Sequence, residues 1–274
     1  MAGDRRGEIS RDILPPIRYY HRMSLRDAYE ACAEIPHFRR EQFETIEHVD
    51  EQRRCFRPTQ VRAVLLAESH CFTSNKEAEV EIDFPNHAGA SPHQQFRRFV
   101  YCLGYGEQNL LSRGKLDRNS GTWQYWKIFC AAAQPRPWKF ADVQVGGTPD
   151  LATRLSNKIN LLNSLKAAGI WLVDASPLAI AGAGPKMGRP PPQAIESVLE
   201  RSWKHFTRDV IRKANPETVI VIGRAVHNIL GGELRNALPR NTTIDNVPQP
   251  QARGRSGWTA EHLSIIHQHC YRPA

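Results

Sequence analysis

Four short apolar runs, each stopping abruptly on polar or glycine residues, constrain this fold more than anything else in the chain. They are VLLAESH at Val64–His70, WLVDASP at Trp171–Pro177, VIVIGRA at Val219–Ala225 and LSIIHQH at Leu263–His269. Apolar runs without alternation read as strands buried on both faces, the habit of parallel sheets. The strands are expected at Val61–Ala67, Ile170–Val173, Val219–Ile222 and Leu263–Ile266. In an open α/β sheet, ligands sit just beyond the carboxyl ends of the strands. Four such ends would bring Glu68, Ser69, His70, Asp174 and His267 to one edge.

Helical patterns lie between the strands. Leu151–Ala168 turns Leu155, Ile159, Leu162 and Leu165 inward and closes at Gly169. Gln193–Ala214 does the same with Ile195, Val198, Leu199, Phe206 and Val210, and Asn215-Pro216 stops it. Thr122–Ala133 reads as a further helix, and Ser91-Pro92 announces one through about Leu103 with Phe96, Phe99, Val100 and Leu103 buried. A short helix after Gly223 is expected to end at Gly231-Gly232. This alternation predicts an α/β domain, a three-layer α/β/α sandwich with a mostly parallel central sheet of about four strands, over residues 58–274. Residues 1–57 read as a helical extension packed on that core. Ser24 with Asp27 suggests a helix start, and Leu25, Ala28, Tyr29 and Cys32 share one face. The segment HFRREQF mixes aromatics with arginines and reads as a solvated amphipathic surface, with contact to a phosphate backbone as the alternative.

The chain of 274 residues carries a formal net charge of +9, which suits a polyanionic partner. No apolar stretch is long enough to cross a bilayer, and MAGDRRGEIS lacks the apolar core of a signal peptide. A cytoplasmic, nucleoid-associated monomer is the expectation. The six cysteines are scattered without a CxxC pair, so free thiols are expected rather than a zinc ribbon or an iron–sulfur cluster. No metal or other cofactor is expected.

The order of the strand ends resembles the uracil-DNA glycosylase superfamily, whose first strand runs into a water-activating loop such as GQDPYH or GEAPG. A later strand in that family ends on a pyrimidine-reading residue, a third on glycine and a small residue, and the last on HPS. The counterparts here are AESHCF at Ala67–Phe72, LVDASP at Leu172–Pro177, VIGRAV at Val221–Val226 and IIHQH at Ile265–His269, spanning about Val61 to His269. Departures are plain. Ala67 replaces the loop's first glycine, and Ser69 stands at the water-positioning aspartate. Asp174 replaces asparagine at the base-reading position. Gln268 and His269 replace the proline and serine of HPS, and of the wedge loop that follows only Tyr271 and Arg272 remain.

The resemblance implies a DNA repair enzyme that hydrolyses the N-glycosidic bond of a flipped-out deoxyuridine. Its products would be free uracil and an abasic site in single- or double-stranded DNA. The transition state is oxocarbenium-like, so the leaving base anion needs a donor, for which His267 is the candidate. Glu68, Ser69 and His70 compete to activate water, with His70 as base and Ser69 orienting it as the preferred arrangement. Asp174 either reads the uracil edge or caps the turn at Ala175–Pro177; when ionised it only accepts. Tyr101 or Phe72 could stack on the base. Lys186, Arg189, His269 and Arg272 are candidate DNA contacts, together with Arg253 and Arg255. The loop AGAGPKMGRPPP is either a structural crossover or a surface that touches DNA. Rival readings are a DNA-binding relative without catalysis, a glycosylase for another damaged base, and a metal-dependent hydrolase using His267, His269, Glu68 and Asp174.

Overall fold

A computed structural model of the protein describes residues 18–83, 94–112, 116, 118–133, 135–147, 149–249 and 260–271. Within them lie helices α1 (Arg18–Ala31), α2 (Phe43–Cys55), α3 (Asn75–Ala78), α4 (Trp123–Ala132), α5 (Leu151–Ala167), α6 (Pro192–Ser202), α7 (Arg208–Ala214), α8 (Arg224–Ala237) and α9 (Ala260–Cys270). The strands are β1 (Ala63–Ala67), β2 (Ile170–Asp174), β3 (Thr218–Ile222) and β4 (Thr243–Val247). They form one parallel sheet in the order β2-β1-β3-β4. Helices cover both faces, giving the expected three-layer α/β/α architecture.

Pleating explains why the central strands look uniformly apolar. Leu65, Leu172 and Ile220 face a core built on α4, α5 and α9, while Leu66, Val173 and Val221 face a second core under α1, α6 and α8. Every residue of β1, β2 and β3 is buried. Both cores also draw on α2, through Val49 on one side and Phe43 and Ile46 on the other. α2 is thus less separate from the rest than its charged sequence suggests.

The fourth strand is a correction. Leu263–Ile266 lies inside α9, and the strand is Thr243–Val247, whose TIDNV sequence is mostly polar. Only Val247 of this strand is buried, so no apolar run marks it, whereas β2 at the opposite edge is covered throughout. The helix expected from Ser91-Pro92 to Leu103 is also absent over its described part, 94–103, where the chain forms bridges and turns. Gln95 bridges Glu81, the Phe96 amide bonds the Val80 carbonyl, and the Arg97 amide is spent on Cys102 Sγ. Those amides are therefore unavailable to a helix, although Phe96, Phe99 and Leu103 are buried as expected. Ser91-Pro92 itself lies outside the described residues. Helix α8 runs through Gly231 and Gly232 to Ala237 instead of ending there, because its apolar stripe continues to a buried Leu234.

Gly223 joins β3 to α8 with φ at 114°. A Cβ there would meet its nearest neighbour, Gln249 Cβ, at an ordinary 3.7 Å, so a side chain would be opposed by the backbone rather than by space. Gly223→Ala is expected to destabilise the fold by about 1–3 kcal/mol, read as a lower urea midpoint at unchanged slope.

Candidate active site

At the carboxyl ends of β1 and β2 lies a cavity of about 60 Å³, lined by Glu68, His70, Asp174, Phe99, Tyr125 and Gln249 among others. The two strands are paired in register up to Ala67↔Asp174. Beyond that pair, the Ala175 and Ser176 amides bond the Ala67 and Glu68 carbonyls, so both polar ends emerge side by side. Ser69 fastens them: its hydroxyl donates to the His70 carbonyl at 2.8 Å and accepts from the Ile180 amide at 2.9 Å. A π-helical turn at Trp203–Thr207 completes the frame, letting Thr207 Oγ1 donate to the Ala175 carbonyl at 2.8 Å.

His70 is held from the N-terminal segment. Its Nε2 lies 2.7 Å from Glu41 Oε2, while Glu41 Oε1 accepts the Thr73 amide at 2.6 Å. Both side chains are almost wholly buried. With the shared proton on Nε2, Nδ1 keeps its lone pair. Nδ1 is buried without a hydrogen-bond partner and lies 3.8 Å from Asp174 Oδ2. A base fixed by a carboxylate on its far nitrogen is the arrangement that general-base catalysis requires.

Asp174 is paired as well. Its Oδ2 accepts from Arg53 Nη2 at 2.7 Å, and Arg53 Nη1 donates to Asp50 at 3.1 Å. Arg53 rises from α2 over the Phe99 ring, 5.2 Å from its centroid, with 2% of its side chain exposed. Glu68 accepts two bonds from Arg189, at 2.8 and 2.5 Å, so the Gly/Pro-rich loop is tied to the end of β1. Arg189 is thereby engaged by a carboxylate, whereas Lys186 stands exposed beside it. Burial, reinforced by Asp174, Glu68 and Cys71, pushes the Tyr125 phenol well above its usual range. It is a neutral O–H donor at any physiological pH.

The other expected site residues fall elsewhere. His267 sits on α9, not at a strand end, and its Nδ1 donates to the Ala131 carbonyl at 3.0 Å while its ring stacks on Tyr271. It does not line the cavity. His269 Nε2 lies 2.8 Å from Asp245 Oδ2. The four residues of the metal-hydrolase reading are therefore not brought together, and among the described residues no group of three or more His, Cys, Asp or Glu is placed to hold a metal. Tyr101 is core: it stacks between Phe56 and Phe129, and its hydroxyl oxygen accepts the Leu172 amide at 3.2 Å. Phe72 packs with Ala179 and Ala183 under the Arg39 guanidinium, apart from the cavity. Arg253, Arg255 and Arg272 lie outside the described residues. No described helix is long and apolar enough to cross a membrane.

Glu41, Arg53, Tyr125 and Gln249 are the residues that strand-end reasoning missed. Glu41 comes from HFRREQF, read as a solvated surface, and Arg53 from the α2 segment, and no periodicity distinguishes either from its neighbours. No protein-family model matches the chain, and no curated protein does either.

Proposed function

We propose that this cavity hydrolyses the N-glycosidic bond of a deoxyuridine extruded from DNA, releasing uracil and leaving an abasic site. The observation that carries the reading is the Nδ1 of His70, unpartnered, oriented by Glu41 and set at the cavity beside Asp174. In the reaction, His70 Nδ1 takes a proton from water as the water oxygen bonds to C1′. The C1′–N1 electron pair leaves with the base. The carboxylate of Glu68, which also lines the cavity, favours the cationic sugar that develops in between.

With His267 on α9, the leaving base needs another donor. Tyr125, with an O–H, and Gln249, with an amide N–H, both line the cavity. Gln249 also resolves the difficulty posed by Asp174, since an amide offers the donor for O4 that an ionised carboxylate lacks. The net charge of +9 supports a polyanionic substrate.

The test is incubation with uracil-containing single- and double-stranded oligonucleotides, followed by alkali to cleave abasic sites. Parallel strands carry hypoxanthine, xanthine or a mismatched thymine. Cleavage confined to uracil strands is the expected result; intact strands throughout, with DNA still bound, would leave a binding protein without this chemistry.

A further inference from the structure

A second and wider cleft of about 400 Å³ adjoins the first cavity, and Thr122 lines both. Its walls include Trp123, Trp126, Phe140, Lys127 and Lys158. Trp123, the first residue of α4, is 47% exposed, and the Lys127 ammonium lies 4.7 Å from its ring and 5.2 Å from that of Phe140. An aromatic shelf with a cation beside it is a feature that stacked bases and their phosphates use.

The charge beneath the shelf is out of balance. Glu107 accepts two bonds from Arg154, at 2.8 Å each, and one from Lys158 at 2.5 Å. All three side chains are buried, so one carboxylate faces two cations and a positive excess remains inside the wall. Asp150, the other acid felt by Arg154, is at the exposed start of α5 and caps Thr153. Burial and Arg154 lower the Lys158 pKa while Glu107 works against them, as expected for an ammonium short of counter-charge. The Thr122 hydroxyl, at the boundary between the two spaces, is buried and has no hydrogen-bond partner. Buried polar atoms are rarely left so.

We infer that this cleft binds the nucleotide next to the extruded one on the same strand, its base on Trp123 and Phe140 and its phosphate toward Lys127 and Lys158. The inference rests on the glycosylase reading for its choice of strand. A mononucleotide fills only one of the two spaces, so single-stranded oligonucleotides should bind much more tightly than deoxyuridine monophosphate.

The experiment uses a short uracil-free oligothymidylate, with intrinsic tryptophan quenching and fluorescence anisotropy as readouts and uracil excision measured in parallel. Trp123→Ala is expected to weaken oligothymidylate binding on the order of tenfold. Lys127→Ala should weaken it too and reduce the salt slope by about one. Both variants should keep the wild-type melting temperature and bind deoxyuridine monophosphate as the parent does. Wild-type affinity in both variants, or equal affinity for mononucleotide and oligothymidylate, overturns the inference. Uracil release with unaltered oligothymidylate binding in the variants sinks this inference alone. Trp123-dependent binding without uracil release sinks the glycosylase reading and keeps the cleft. Absence of both binding and release removes both.

Discussion

Exchanging His70 for glutamine is expected to slow uracil release by about 10²–10⁴-fold, the range typical of a lost general base. Glutamine keeps a hydrogen-bonding group near Glu41 but offers no basic nitrogen at the cavity. Glu41→Gln tests the positioning role separately. It should lower the rate on the order of 10–100-fold, because the imidazole is still present but no longer held by a carboxylate. Single-turnover excision, with melting curves to confirm folding, checks both variants. An undiminished rate in His70→Gln would exclude the proposed base.

Removing the carboxylate of Asp174 should be felt first as instability. Arg53 is almost entirely buried, and Asp174→Ala leaves it with Asp50 as its carboxylate partner. Breaking a buried pair in this way typically costs about 3–5 kcal/mol, because the surviving charge stays desolvated. The remaining contact to Asp50 places the expected value toward the lower end. Asp174→Asn is the informative companion. Its amide oxygen still accepts from Arg53 and its nitrogen adds a donor, so most stability should return while preference among bases shifts. Urea denaturation reads the first effect and excision from parallel oligonucleotides the second. A wild-type urea midpoint in Asp174→Ala would mean that the Arg53 pair contributes little.

Three of the four strands were legible because burial on both faces leaves an uninterrupted apolar run. β1, β2 and β3 start and stop within a residue or two of the expected limits. β4, largely uncovered, carried no such mark, while Leu263–Ile266 looked like a strand only because a four-residue window cannot separate strand from helix periodicity. That confusion carried His267 to the wrong place. Glu68, Ser69, His70 and Asp174 were legible as neighbours, since parallel strands in register deliver their ends together. Their partners were not. Glu41 and Arg53 are charged residues in a charged stretch, and their burial is decided by groups that follow them by 29 and 121 positions.

Those two contacts alter where the site begins. A shortened version starting at Pro58 would retain the carboxyl ends of β1, β2 and β3. It would nonetheless carry an imidazole with no anchor and an aspartate stripped of its guanidinium. Complementing it with a separate peptide covering the first 57 positions should restore what truncation removes, since the two pieces meet through buried ion pairs as well as apolar packing.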